Sequence, residues 1–125
     1  MAKVLIADDQ SAIRRIIRLT LESGHFDIFE APDGMTALAL ARREQPDLVF
    51  LDWTMPGIPG VEVCRRLRDD PDTGAMRIIM LTARSQPADR EVASAMGADD
   101  YITKPFSPLE LLGKVRDVLG PEALL

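Results

Sequence analysis

Five polar residues stand at the ends of short apolar runs, a placement that can do chemistry. Asp8 and Asp9 follow Val4-Leu5-Ile6-Ala7, Asp52 follows Leu48-Val49-Phe50-Leu51, Thr82 closes Ile78-Ile79-Met80-Leu81, and Lys104 follows Tyr101-Ile102-Thr103. Three carboxylates brought close together repel unless a cation neutralises them or a pKa rises. Magnesium suits such a set: it prefers oxygen ligands, keeps several waters, and takes one or two carboxylates with a phosphate oxygen. The backbone carbonyl of Thr54, two residues beyond Asp52, can supply a further ligand. Taken singly, each position also fits a helix cap or a solvated loop residue. The convergence of five, one of them an oppositely charged lysine, points to a site.

That convergence requires particular elements. Apolar runs of strand length alternate five times with helical patterns, and continuous apolar strands belong to parallel sheets covered on both faces. Ser11 is placed to cap the first helix, where Ile13, Ile16, Ile17 and Leu21 recur at helical spacing and Arg14, Arg15, Arg18 and Glu22 take the other face. Gly24 suits its stop. Phe26 to Ala31 reads as the second strand, and Asp33-Gly34 opens a helix carrying Leu38 and Ala41. The third helix runs through Val63, Cys64 and Leu67. The fourth, about Pro87 to Met96, is rich in Ala and Ser, with Val92 and Met96 as its large apolar anchors. Such thin packing gives weak tertiary hold. Leu109, Leu112, Val115, Val118 and Leu119 line the last helix. Five strand–helix pairs imply a doubly wound α/β sheet with right-handed crossovers. Ligands of such sheets bind beyond the carboxyl ends of the strands, where all five polar residues lie.

Composition narrows the function. The chain has 125 residues, 46% hydrophobic and 28% charged, as expected of one ordinary globular domain. Fifteen basic against twenty acidic residues leave a net charge of −5, which argues against nucleic-acid binding by this chain alone. No apolar run approaches the roughly 20 residues of a membrane span. The first residues lead straight into a strand with no signal-peptide cleavage region, so a cytoplasmic location is expected. The single Cys64 cannot pair internally and reads as core filler. His25 reads as a solvated loop residue, Trp53 as a partly exposed lid, and Met55, Met76, Met80 and Met96 as core or rim.

From about Lys3 to Leu119 the sequence resembles the receiver domain of bacterial two-component response regulators. The marks are Asp8-Asp9, the run Leu51-Asp52-Trp53-Thr54-Met55-Pro56-Gly57, Leu81-Thr82-Ala83, and Tyr101-Ile102-Thr103-Lys104-Pro105-Phe106. The resemblance implies a flavodoxin-like (βα)5 fold with strand order 2-1-3-4-5, residues 1–120 forming the receiver and 121–125 a short tail. It implies that Asp52 is the phosphoacceptor, and that Asp8, Asp9, Asp52 and the Thr54 carbonyl hold Mg2+. Thr82 and Lys104 contact the phosphoryl group, and Tyr101 follows Thr82 in a switch that alters the surface of the fourth helix, fifth strand and fifth helix. It implies a cis Lys104-Pro105 bond, and that Thr54 and Arg84 occupy positions that tune the phosphoryl lifetime. Pro59 departs from the family's acidic residue and affects only local helix capping.

The expected partners are a sensor histidine kinase or phosphotransfer protein and an output protein or fused effector domain, with no direct nucleic acid or membrane contact and a possible homodimer on phosphorylation. The expected role is a signalling domain and not an enzyme. A backbone N–H from Ala83 or Trp53 is expected to serve the phosphoryl oxygens. A flavin binder shares the topology, but Asp8 and Asp9 would repel its phosphate. A haloacid-dehalogenase-type phosphatase places its acids after the first strand, and a receiver-like adaptor would not need all five site residues.

Overall fold

A computed structural model describes residues 1–22, 24–84 and 86–124. Strands β1 (Ala2–Ala7), β2 (Phe26–Ala31), β3 (Leu48–Asp52), β4 (Arg77–Thr82) and β5 (Asp100–Thr103) alternate with helices α1 (Ser11–Leu21), α2 (Gly34–Glu44), α3 (Gly60–Asp69), α4 (Pro87–Ala95) and α5 (Pro108–Leu119). The strands are all parallel, in the order β2-β1-β3-β4-β5. This is the flavodoxin-like topology expected above.

The continuous apolar runs are explained by two cores. Side chains alternate along a strand, so Leu5, Val49, Leu51, Ile78 and Met80 enter one core with Leu38, Val63, Cys64 and Leu67. Val4, Ile6, Leu48, Phe50, Ile79 and Leu81 enter the other with Ile17, Leu21, Leu111 and Val115. Each buried Leu or Ile contributes about 1.5–3 kcal/mol. A strand facing two such cores has no polar face to spare.

The helix faces differ in part from the sequence reading. Ile16, read as core-facing, is 44% exposed, and Ile17 and Leu21 carry the α1 contact. Leu109 is exposed, while Leu111, absent from the expected set, is fully buried. In α4 the expected anchor Val92 is exposed, and Ala93 is the buried residue. Ser11 is the first residue of α1, with Gln10 as its cap residue and no side-chain cap bond. Gly24 donates its N–H to the Leu21 carbonyl at 3.0 Å, beyond the helix end. Residues Pro121–Leu124 form a short 3-10 turn; Leu125 lies outside the described residues. Among the described residues no helix is long and apolar enough to cross a membrane.

Candidate functional site

The β1-β3-β4-β5 part of the sheet brings the five polar residues to one edge. Asp8 leaves β1, Asp52 ends β3, Thr82 ends β4 and Lys104 leaves β5. In register, Ala7 pairs with Leu51, Asp52 with Leu81, and Thr82 with Thr103, so the strand ends are level. Asp52, Thr82 and Lys104 line an open cleft of about 270 Å³ with Asp9, Gln10, Thr54, Ala83 and Arg84, and Asp8 lies buried behind them. A larger hollow at the opposite edge, bordered by Gln45, Asp47, Asp72 and Arg77, gathers no comparable set.

Carboxylate oxygens of Asp8, Asp9 and Asp52 all lie within 4.8 Å of one another. Asp8 is fully buried, Asp52 nearly so, and Asp9 exposed. The Asp8 carboxylate accepts from the Gln10 N–H at 2.8 Å and from Lys104 Nζ at 2.7 Å. Lys104 Nζ stands 3.3 Å from Asp52 Oδ1 and so bridges two acids. Burial, the nearby Asp8 charge, and only partial relief from Lys104 push the Asp52 carboxyl up to about 6. Burial works against the Lys104 charge, but the hydrogen bond and charge of Asp8, with Asp52 behind them, hold its pKa above the ordinary lysine value. One ammonium does not satisfy three acids. The donor set, hard oxygens at short spacing with one exposed face, fits a small divalent cation.

The backbone around Asp52 is tightly fixed. Trp53 N–H donates to the Leu81 carbonyl at 2.9 Å, and Gly60 N–H donates to the Trp53 carbonyl at 2.8 Å. A Cβ on Gly60 would stand 1.9 Å from the Asp52 carbonyl oxygen, so only glycine lets α3 start there. The Trp53 N–H is thus spent on the sheet, which leaves Ala83 as the one of the two expected amides free of that ladder bond. Trp53 itself is buried rather than a partly exposed lid, and the Arg84 guanidinium lies 4.9 Å over its ring. The Thr82 hydroxyl accepts from the Arg84 N–H at 2.9 Å. The Lys104-Pro105 bond is cis. Cys64 is buried, and burial pushes its thiol up to about 11.

Tyr101 is buried, and among the described residues its hydroxyl has no hydrogen-bond partner of good geometry. Burial raises its pKa, the Asp89 charge adds to this, and a polar contact with Thr82 opposes it. The Arg90 guanidinium stands 5.3 Å over the ring. Sequence reasoning missed Gln10, Arg14 and Glu30. Gln10 is a local neighbour of the acid pair, but Arg14 and Glu30 meet across 16 residues at 3.0 Å, a contact no local pattern shows.

A parallel sheet that closes an acid cluster with a lysine and a hydroxyl defines a receiver-type domain. The chain belongs to the response regulator family, whose receiver-domain model matches residues 4–116. It is similar to "Probable transcriptional regulator ycf27" of Porphyridium aerugineum, 47% identical over 117 residues, 94% of this chain and 48% of that protein. It is also 43% identical over 116 residues to the phosphate regulon transcriptional regulatory protein PhoB of Pseudomonas aeruginosa, covering 93% of this chain and 51% of that one. The chain spans about half the length of these curated relatives. Among solved structures, the chemotaxis response regulator CheY4 of Vibrio cholerae superposes with a TM-score of 0.90 at 34% identity, covering 94% of this chain and 98% of that one.

Proposed function

We propose that residues 1–120 act as a phosphoacceptor switch, with residues 121–125 as a tail, in which Asp52 receives a phosphoryl group from a histidine-bound donor. The observation that carries this is the sharing of one lysine by Asp8 and Asp52 at the mouth of a cleft. Such an arrangement is overcharged with acid yet keeps a cation ready for an incoming anion.

Asp8, Asp9, Asp52 and the Thr54 carbonyl would hold Mg2+, which supplies charge neutralisation at a transferring phosphoryl group. Asp52 is mostly ionised at pH 7 despite its raised pKa of about 6. A carboxylate oxygen attacks phosphorus, an O–P bond forms, and the P–N bond of the donor breaks. Its electron pair stays on the imidazole nitrogen. Lys104 neutralises charge spread over the equatorial oxygens, and the Thr82 hydroxyl and Ala83 N–H donate to them. Water later cleaves the acyl phosphate, so the signal is transient; the domain acts as a signalling receiver that assists its own phosphorylation and dephosphorylation. Thr82, drawn to the phosphoryl group, changes the space beside Tyr101 and biases the α4-β5-α5 surface. A sensor kinase or phosphotransfer protein upstream, an output protein or fused effector domain downstream, a cytoplasmic setting and pairing on phosphorylation complete this reading. The transcriptional relatives support an effector beyond the receiver.

Incubation with Mg2+ and acetyl phosphate, followed by intact mass, tests it. One phosphoryl group should be gained by the native chain and by none of the Asp52→Asn variant. No gain in the native chain, or gain that survives the substitution, defeats the reading.

A further inference from the structure

Arg14 lies on the α1 face that sequence periodicity assigns to solvent, yet its side chain is only 17% exposed. Its Nη1 donates to the Asp8 carbonyl oxygen at 2.7 Å. Its Nε donates to Glu30 Oε1 at 3.0 Å, while the other oxygen of Glu30 accepts from Arg18 Nε at 2.7 Å. Glu30 sits in β2 opposite Ile6 of β1, and the Asp8 N–H donates to the Ala31 carbonyl at 3.1 Å. The peptide unit between Asp8 and Asp9 is therefore held through its carbonyl by Arg14 and, one peptide earlier, by the edge of β2. The Asp8 carboxylate is held by Gln10 and Lys104.

We infer that Arg14, anchored by Glu30, is a positioning residue that fixes the Asp8–Asp9 peptide so that both carboxylates face one cation. This rests on the reading of Asp8, Asp9 and Asp52 as cation ligands. A planar guanidinium suits the task because its fork engages a carboxylate and a carbonyl at once, which a lysine ammonium on a flexible stem does not reproduce. Outer groups that orient metal ligands typically influence affinity by about 10–100-fold.

Two physical effects of removing Arg14 have opposite signs, and this makes the inference testable. Simple electrostatics says that deleting a positive charge beside an acid cluster strengthens cation binding. Loss of positioning weakens it. Arg18 is the matched control: it carries the same charge and grips the same Glu30, but its hydrogen bonds go to Glu30 and Ile28 and none to the acid loop.

Mg2+ titration of the native chain, Arg14→Ala, Arg18→Ala and Arg14→Lys, read by Trp53 fluorescence and by calorimetry, decides between them. Thermal melts run alongside register loss of fold separately. Arg14→Ala should bind Mg2+ about tenfold more weakly, while Arg18→Ala stays near native or binds slightly tighter. Arg14→Lys keeps the charge, so weakening there is positional; it also serves should the alanine variant fail to fold. Arg14→Ala or Arg14→Lys binding as tightly as Arg18→Ala overturns the inference. If the native chain itself takes up no Mg2+, the parent reading of the acid cluster falls instead.

Discussion

Helices α1 and α4 pack on opposite faces of the sheet near the same cleft, but they are tied to it very differently. α1 buries Ile17 and Leu21 and is cross-linked to β2 and the acid loop by Arg14, Arg18 and Glu30. α4 buries only Ala93 along its length. Besides the Arg90 contact with Tyr101, its attachments lie just past its carboxyl end, where the Met96 carbonyl accepts from the Cys64 thiol at 3.3 Å and the Gly97 carbonyl from Arg68 Nε at 2.8 Å. At its amino end a long Arg84–Asp89 pair at 3.4 Å, with the arginine largely exposed, adds little, as surface pairs generally do. Local opening is cheapest where few apolar contacts must be broken. On the proposed reading, the acid loop would need fixed geometry to hold an ion, whereas a reporting surface would need two arrangements of similar energy. Stiffness and looseness are thus divided between the two flanks.

The largest test of this contrast is a pair of truncations. Ile17→Ala in α1 should destabilise the chain by about 3 kcal/mol through lost burial and a residual cavity. Val92→Ala in α4 removes an exposed side chain and should stay within about 0.5 kcal/mol. Urea denaturation followed by Trp53 fluorescence compares them. Equal costs would mean that α4 is as firmly seated as α1.

A second, smaller effect concerns the charge stored at the cleft. Unfolded Asp52 titrates near 3.8 and folded Asp52 near 6, so the folded chain binds the proton more tightly. Above pH 6 the ionised carboxylate therefore costs stability, and that cost is relieved as pH falls from about 6 toward 4. Asp52→Asn should stabilise the metal-free chain by on the order of 1–2 kcal/mol at pH 7.5. The gain should shrink through pH 6 and vanish near pH 4, where both side chains are neutral. Saturating Mg2+ should erase or reverse the difference at pH 7.5. A variant less stable than the native chain without metal would show that Lys104 already satisfies the cluster.

The same division marks what the sequence could reveal. Strand positions and the residues that follow them were legible, because a strand buried on both faces is apolar throughout and its polar successor is conspicuous. Asp8, Asp52, Thr82 and Lys104 meet as their places at four parallel strand ends required. Helix phase was less legible: Ile16, Val92 and Leu109 are apolar but face outward, while Ala93 and Leu111 carry the contacts. Periodicity gives the width of an apolar stripe, but the sheet beneath decides which of its edges is covered. Trp53 looked like a lid because it adjoins Asp52, yet its backbone continues the ladder with Leu81 and its ring is covered by Arg84. Arg14 and Glu30 are not legible in the sequence because each alone resembles a solvated charge.

The loose flank also holds the subtlest test. Among the described residues the buried Tyr101 hydroxyl has no hydrogen-bond partner beyond its polar contact with Thr82, so its position is held mainly by ring burial and the Arg90 contact. An unpaired buried hydroxyl costs roughly 1–3 kcal/mol in desolvation, and deleting it leaves no partner stranded. Tyr101→Phe should therefore be neutral or stabilise the chain by up to about 1 kcal/mol, the opposite of the usual loss when a bonded tyrosine is changed. Denaturation without Mg2+ or phosphodonor reads this inner state directly. A loss of more than 1 kcal/mol would reveal a firm hydroxyl partner in the resting chain, adding a hydrogen bond to the Arg90–Tyr101 contact between α4 and β5.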